Sequence, residues 1–189
     1  IKYAANSFLA ATISFANEIA NLCAATDGVD VVDVMKGVQL DSRLSPILEN
    51  RRIRPGLMAY LHPGVGFGGS CFPKDLKSLI CFGENIGYPT VLLQSVIDIN
   101  RKQPETLIGI LDNEFDELIG KKIGILGLAF KPGTDDRRDS PAIWLIGELL
   151  KRKVEVIAHD PIAIENFQST IVGKNISYEL SLEEIVKIV

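Results

Sequence analysis

The hydrophobic pattern of this chain changes once, near residue 120, and that change limits the possible folds more than any other feature. Before it, apolar residues recur at helical spacing over residues 1–26, 73–86 and 90–117. The first of these segments is apolar on nearly all sides, which predicts a long buried helix that ends near residues 27–28. The N-terminal part of the chain is therefore predicted to be helical.

A continuous apolar run at residues 122–129 follows the change. Such a run, after a charged turn, predicts a strand buried on both faces of a parallel sheet. Ser140 is a suitable N-cap for a helix that continues to about Lys151, and residues 154–159 predict a second strand. The order of strand, helix and strand implies a right-handed βαβ unit, which binds ligands beyond the carboxyl ends of its strands.

These patterns predict an α/β protein with two domains. Residues 1–118 are expected to form an all-helical domain, and residues 119–189 a partial Rossmann-like domain with a parallel sheet. A short strand at residues 176–178 and a helix that begins at the capping box of Ser181 continue the second domain. The sheet is expected to be unfinished at Val189.

The composition excludes several classes of protein. The chain has 189 residues, is 47% hydrophobic and has a mean hydropathy of +0.19, which supports a substantial buried core. Its net charge of −4 gives no electrostatic footprint for nucleic acid or for a membrane surface. No apolar segment reaches the length of a membrane span, and the N-terminus lacks the features of a signal peptide. We therefore expect a cytoplasmic protein that binds neither nucleic acid nor membranes.

Neither the cysteines nor the histidines are spaced as metal ligands. Of the three cysteines, Cys23 and Cys81 lie in apolar helical patterns, where packing is the expected role. The two histidines, His62 and His159, are far apart in the sequence. We expect no metal site and no disulfide framework, and Cys71 is then the cysteine to explain.

Cys71 lies in a glycine-rich segment, Gly-Val-Gly-Phe-Gly-Gly-Ser-Cys-Phe-Pro-Lys-Asp, at residues 64–75. Pro73 suits the first turn of a helix, so Cys71 is predicted at or just before a helix N-terminus. The positive end of the helix dipole and the nearby Lys74 favour a thiolate, and the N–H groups of a glycine-rich loop can cradle a phosphate. The segment predicts a nucleophile beside a phosphorylated ligand. The alternative is that Cys71 is an inert, small hydrophobic residue.

Two further polar features accompany this cysteine. Lys2 and Asn6 are one helical turn apart on the same face of an otherwise apolar helix, and a buried ammonium needs a partner or a function. Asp75, four residues after Cys71, falls in the first turn of the next helix and could face the same pocket. The alternatives are a solvated helix start for Lys2 and Asn6, and charge complementarity with the helix dipole for Asp75.

Three stretches of the chain, in order, resemble the UDP-glucose and GDP-mannose dehydrogenase family. Residues 2–10 are similar to the start of the family's central helical domain, residues 67–75 to its catalytic-cysteine segment, and residues 124–142 to the start of its UDP-binding domain. The resemblance implies a homodimer formed through the central helical domain. It also implies that the N-terminal NAD-binding domain is absent from this chain, so that the chain alone binds nucleotide at most and has no turnover.

The resemblance implies a specific reaction. In such an enzyme the C6 alcohol of a nucleotide sugar is oxidised twice to a carboxylate, with two NAD as the hydride acceptors. Cys71 is implied to capture the intermediate aldehyde as a thiohemiacetal, whose oxidation gives a thioester that water hydrolyses. The Cys-Phe-Pro-Lys-Asp form favours UDP-glucose, and the alternative substrates are a UDP-N-acetylhexosamine and GDP-mannose.

Two other classes of function stay open at this point. One is a dimerising, nucleotide-binding module without turnover. The other is a nucleotide-binding protein in which Cys71 acts as a redox sensor.

The resemblance also assigns roles to individual residues. Four are implied to be catalytic: Cys71 as the nucleophile, Lys2 and Asn6 as donors to the oxyanion at C6, and Asp75 as the group that orients or activates water.

Further residues are implied to bind the cofactor or the UDP-sugar. Lys74 and Arg138 are implied to lie near NAD, and Arg43 is implied to reach the substrate of a neighbouring subunit. The other residues implied to contact the UDP-sugar are Tyr60, Leu61, Gly66, Phe67, Gly68, Gly69, Phe72, Phe130 and Lys131.

Overall fold

The computed structural model of the protein describes residues 1–171, 173 and 175–188. Within these residues the chain forms two compact units. The first unit contains Ile1–Gly66 and Lys74–Gln103, and the second contains Phe67–Pro73 and the described part of Pro104–Val189. Val189, where the sheet was expected to be unfinished, lies outside the described residues.

Helices dominate the first unit, as the sequence predicts. Its first helix, α1, has a polar and small buried side formed by Ser7, Ala10, Ser14 and Asn17. Large apolar side chains of α1 are instead exposed, so the prediction of a helix buried on nearly all sides was wrong. The helices are α1 (Lys2–Ala24), α2 (Val31–Gln39), a 3₁₀ helix (Gly56–Tyr60), α3 (Phe72–Asn85) and α4 (Val91–Glu114). The first residues of α3 belong to the second unit, and α4 continues into it.

The connection between α2 and the 3₁₀ helix contains a short hairpin that the sequence pattern did not reveal. Its strands, β1 (Ile47–Leu48) and β2 (Arg51–Arg52), pair antiparallel, with Ile47 opposite Arg52. Glu49 and Asn50 both have positive φ, 48° and 59°, as a two-residue hairpin turn requires. The helical domain therefore carries one two-residue β-pair in addition to its helices.

The second unit has the predicted α/β architecture. The strands pair in parallel in the order β3, β4, β5, and a helix follows each strand. Ser140 caps the first of these helices, because its side chain accepts a hydrogen bond from the Ala142 N–H. The elements are β3 (Lys122–Leu126), α5 (Pro141–Lys151), β4 (Glu155–His159), α6 (Ile164–Gln168), β5 (Ile176–Tyr178) and α7 (Leu182–Ile188).

The core of the second unit lies on β4. Val156 and Ala158 are buried there and pack with Leu149 of α5 and Phe167 of α6. The strand β3 is only partly buried, so the prediction that residues 122–129 are buried on both faces was wrong. In the described sheet β3 has a neighbour on one side only, and its glycine, Gly124, has no side chain to pack.

In the described part of the chain, no helix is both long and apolar enough to cross a membrane.

Candidate active site

The loop that holds Cys71 is packed against the β3–α5 loop (residues 127–140) within the second unit. The Gly69 N–H donates to the Arg138 carbonyl oxygen at 2.7 Å. Gly68 approaches the backbone so closely that a Cβ there would lie 2.1 Å from the Asp139 carbonyl oxygen. Gly69 has a φ of +81°, and its Cβ would lie 2.7 Å from the Phe130 ring. Only glycine fits these two positions, and the contact brings the predicted residues Gly68, Gly69, Phe130 and Arg138 together.

Cys71 is exposed and directly precedes α3, as predicted from Pro73. Its Sγ lies 3.8 Å from the Ser70 hydroxyl. On either side of the cysteine, the rings of Phe67 and Phe72 meet edge to face with their centroids 5.8 Å apart, and Phe67 is buried. This pair anchors the loop and leaves the thiol accessible at the positive end of the helix dipole.

The β3–α5 loop presents cations on this side of the second unit. Arg138 donates from Nε and Nη2 to the Asp136 carboxylate at 2.9 and 2.6 Å. These hydrogen bonds lower the pKa of Asp136 to about 2, and they raise the pKa of Arg138, to which the electrostatic effect of the nearby Cys71 adds a smaller contribution. The Lys131 ammonium lies 5.3 Å from the centroid of the Phe130 ring.

Asp160 fixes the start of the same loop and was missed by sequence reasoning. It follows β4, and one carboxylate oxygen accepts from the N–H groups of Leu128 and Ala129 at 2.9 and 3.2 Å. The other oxygen accepts from Ile162 and Ala163, both at 2.8 Å. Burial raises the pKa of Asp160, but the four N–H donors outweigh it and lower the pKa below its ordinary value. The signal in the sequence, an Asp directly after a strand, indicated only the end of the strand.

A second group of predicted residues surrounds Asp75 in the first unit. The Asp75 side chain is fully buried and accepts from Asn6 Nδ2 at 2.7 Å. Its other oxygen lies 2.7 Å from the Lys74 ammonium, which also stacks over the Tyr3 ring at 5.2 Å from the centroid. Lys74 lowers the pKa of Asp75 most, burial opposes this, and Asn6 and Lys2 lower it further. Tyr3 had no signal in the sequence, because it resembles any apolar residue of an amphipathic helix.

Three of the predicted substrate residues belong to other segments of the first unit. Arg43 is exposed, and its Nε and Nη2 groups donate to the Asp41 carboxylate at 3.0 and 2.6 Å. These hydrogen bonds lower the pKa of Asp41 to about 2. Tyr60 ends the 3₁₀ helix and is half-buried. Leu61 is buried, so its side chain belongs to the packing of the first unit.

The start of the glycine segment is held by asparagines that sequence reasoning did not select. Gly66, with a φ of +98°, lies so near Asn100 that a Cβ would be 2.7 Å from the Asn100 Oδ1. The Gly64 N–H donates to the buried Asn17 side chain at 2.7 Å. All these contacts lie within the first unit.

Ionised Asp75 contributes to stability, and this contribution has a defined pH range. Because folding lowers the pKa of Asp75 from its ordinary value of 3.8, the contribution is complete above that pH and is lost as the pH falls through the folded-state pKa. We expect Asp75→Asn to unfold at lower urea than wild type at neutral pH, with a difference that shrinks in acid. Urea unfolding across this range measures it, with the exposed Asp27→Asn as the control. A difference that does not change with pH would contradict this assignment.

The fold and these loops define the class to which the chain belongs: a helical unit joined to a parallel α/β unit, with an exposed cysteine between glycines and a helix start. The model of the central domain of the UDP-glucose/GDP-mannose dehydrogenase family matches residues 1–102. The model of the UDP binding domain of the same family matches residues 124–189. The chain belongs to this family, as the resemblance predicted.

Individual relatives agree with the family models. The chain is 46% identical to the UDP-glucose 6-dehydrogenase of Haloferax volcanii, over 89% of this chain and 36% of that protein. It is 43% identical to the UDP-glucose 6-dehydrogenase of Bacillus subtilis, over 94% of this chain and 36% of that protein. A solved structure of a UDP-glucose dehydrogenase from Pyrobaculum islandicum has a TM-score of 0.84 at 37% identity, covering 98% of this chain and 40% of that one. The chain thus spans less than half the length of these relatives.

Proposed function

We propose that the intact protein is a nucleotide-sugar 6-dehydrogenase that oxidises UDP-glucose to UDP-glucuronate with two NAD. The observation that carries this proposal is the position of Cys71, which is exposed at the N-terminus of α3 in a loop hydrogen-bonded to the β3–α5 loop. That loop lies in the segment that matches the UDP binding domain. The names of the relatives support UDP-glucose as the sugar nucleotide. As part of the proposal, the central domain covers residues 1–118 and the UDP-binding domain residues 119–189.

The proposed role of Cys71 is covalent capture of the aldehyde formed by the first oxidation. The thiolate sulfur bonds to the aldehyde carbon, and the oxygen takes up a proton to give a thiohemiacetal. Loss of a hydride and the hydroxyl proton then leaves a thioester. Water adds to the thioester carbon, the carbon–sulfur bond breaks, and the carboxylate and the free thiol are released. The close packing of Gly68 and Gly69 against the β3–α5 loop supports a fixed position for the thiol during these steps.

The polar residues of the first unit are proposed to stabilise charge and to handle water. Lys2 and Asn6 act as oxyanion donors, and Asp75 orients or activates the hydrolytic water. Two contacts support a role for Asp75 as a carboxylate: the Asn6 amide holds one oxygen and the Lys74 ammonium the other, so the group is kept ionised and fixed.

Cations of the second unit fit a phosphorylated ligand. A guanidinium has five N–H donors, and the Asp136 fork uses the Nε–Nη2 edge of Arg138, so the Nη1 edge can bind an anion. We propose that Arg138 lies near NAD and that Phe130 and Lys131 contact the UDP-sugar. Lys74, which belongs to the first unit, is a separate proposed cofactor-binding residue. NAD, when bound, accepts the hydride in both oxidation steps. The remaining predicted contacts, at Arg43, Tyr60 and Leu61 and in the glycine loop, belong to the same proposal.

Turnover of the intact protein tests this proposal directly. With UDP-glucose and NAD, we expect two NADH formed for each UDP-glucuronate, measured by absorbance and by mass spectrometry of the product. UDP-N-acetylglucosamine, UDP-N-acetylmannosamine and GDP-mannose serve as the competing substrates. A higher kcat/KM for one of these would transfer the assignment to that sugar nucleotide, and nucleotide binding without NADH would favour a non-catalytic module.

The homodimer is proposed to form through α1. Phe8, Phe15 and Leu22 repeat every seven residues, so they lie along one side of the helix, and they are 60%, 47% and 60% exposed. A stripe of large apolar side chains on a helix whose buried side is small and polar favours a partner with an equivalent stripe, which a second copy of the chain supplies.

A further inference from the structure

The β3–α5 loop is tied to α6 by a pair of crossed contacts that the proposed function does not use. Arg137 donates from Nε to the Asn166 carbonyl oxygen at 2.7 Å and from Nη2 to the Ser169 hydroxyl at 3.4 Å. In the opposite direction, Asn166 donates from its side-chain amide to the Asp135 carboxylate at 2.5 Å. The two residues on either side of Asp136 are therefore both held by the C-terminal part of α6.

Arg137 and Arg138 are adjacent in sequence but have different surroundings. The Arg138 side chain is 66% exposed and forks onto Asp136, so it can face a ligand. The Arg137 side chain is half-buried, and its Nε and Nη2 groups bind the backbone and a side chain at the end of α6. Arg137 is thus built into the protein, with its guanidinium held by the Asn166 carbonyl oxygen of α6 and the Ser169 hydroxyl that follows the helix.

A short chain of contacts leads from Arg137 to the cysteine. The next residue, Arg138, accepts the 2.7 Å hydrogen bond from the Gly69 N–H with its carbonyl oxygen. Gly69 is two residues before Cys71, and every residue in this chain of contacts belongs to the second unit. A displacement of the backbone at residue 137 therefore moves the acceptor on which the cysteine loop depends.

We propose that Arg137 is a positioning residue that fixes the cysteine loop through the backbone of Arg138, with α6 as the rigid support. The catalytic meaning of this inference rests on the proposed function, in which Cys71 is the nucleophile, whereas the mechanical coupling does not. The Gly69 amide reports the coupling, because its exchange with solvent requires the hydrogen bond to Arg138 to open.

Hydrogen exchange of the Gly69 amide in Arg137→Gln provides the test. Loss of the anchor is expected to speed exchange at Gly69 by ~five- to tenfold, the change that corresponds to one lost hydrogen bond. The Val156 amide, which bonds to Asn175 in the core of the sheet, is expected to exchange at the wild-type rate. Equal acceleration at both amides, or no acceleration at Gly69, would overturn the proposal in favour of general destabilisation or no coupling.

Two further variants complete the test. Arg137→Lys keeps the charge and one donor group, so we expect Gly69 exchange between that of wild type and that of Arg137→Gln, and it replaces Arg137→Gln if that variant does not fold. Arg152→Gln removes a different arginine contact of the second unit, the exposed ion pair with Asp112, and is expected to leave the exchange of the Gly69 amide unchanged. If Arg137→Gln does not fold and the Gly69 amide of Arg137→Lys exchanges at the wild-type rate, the proposal is also overturned.

The rate of Cys71 alkylation by iodoacetamide links the coupling to the thiol. Peptide mass spectrometry separates Cys71 from the exposed Cys81, which serves as the internal reference. We expect Arg137→Gln to change the ratio of the two rates at least about twofold, consistent with the loss of one hydrogen bond. If the intact protein had no dehydrogenase activity, these two measurements would still decide the coupling, and an unchanged ratio would count against it.

Discussion

Cys71→Ser should abolish formation of the carboxylate by the intact protein. Serine keeps the size and the hydrogen-bonding capacity of the side chain, but its hydroxyl is not ionised near neutral pH and does not give a thioester. Removal of an enzyme's nucleophile costs on the order of a thousandfold or more in kcat, and we expect a loss of this size. The loop itself should stay intact, because its contacts are made by Gly68, Gly69 and the ring pair of Phe67 and Phe72.

The measurement for Cys71→Ser separates binding from chemistry. UDP-glucose binding, followed by calorimetry, is expected to stay within a few-fold of wild type, about 1 kcal/mol or less in binding free energy. NADH formation and the mass of the sugar product report whether oxidation stops before the acid. Cys81→Ser is the matched control, since Cys81 is exposed on α3 ten residues further along. Two NADH per sugar from Cys71→Ser at the wild-type rate would remove Cys71 from the mechanism.

The order of the elements could be predicted from the sequence because it depends on local signals. Pro73 set the start of α3, Ser140 capped α5, and the apolar run from residue 122 began at β3. The end of that run was predicted too late. Leu126 is the last residue of β3, because Gly127 has a φ of +100° and the next two amides turn to Asp160.

The contacts that build the candidate site could not be predicted in the same way. Gly69 and Arg138 are 69 residues apart, and their hydrogen bond joins two backbone groups, so no side-chain type signals it. Asn6 and Asp75 were both selected, yet only the fold shows that one holds the other. Arg137 was not selected from the sequence, because its partners Asn166 and Ser169 follow it by about thirty residues.

The exposure of large apolar side chains along α1 also differs from what the hydrophobic pattern predicts, because it depends on tertiary packing. A helix that is apolar on most sides suggests burial on most sides. Within the first unit, however, the packed side of α1 has the small residues Ser7, Ala10 and Ser14, which let the neighbouring backbone approach closely. Ser14 donates directly to the Val96 carbonyl at 3.1 Å. The large residues Phe8, Phe15 and Leu22 are left on the other side, which is the side that we propose contacts a second copy.

The double substitution of Phe8 and Phe15 by Glu should therefore convert the proposed dimer to monomer. A symmetric dimer contains four of these side chains, and burial of a large apolar side chain stabilises by roughly 1.5–3 kcal/mol when complete. Because each ring is only about half exposed in one copy, roughly 1 kcal/mol per ring remains to be gained on association. Four such losses raise the dissociation constant by about a thousandfold, before repulsion between the new carboxylates is included.

Sedimentation equilibrium of the intact protein distinguishes the two states, since a dimer has twice the mass of a single copy. The control is Leu180→Glu, which places the same charge at an apolar residue that is 81% exposed in the second unit. We expect the control to sediment like wild type and the α1 double variant to lose the dimer at micromolar concentration.

If the double variant keeps the wild-type mass, the stripe on α1 is not the contact surface. The exposed apolar side chains Phe82 of α3, Ile86 directly after α3 and Leu92 of α4 then become the surface to substitute. The outcome also bears on Arg43, because its proposed role in a neighbouring subunit requires a dimer, and its fork onto Asp41 would have to open for it to act there.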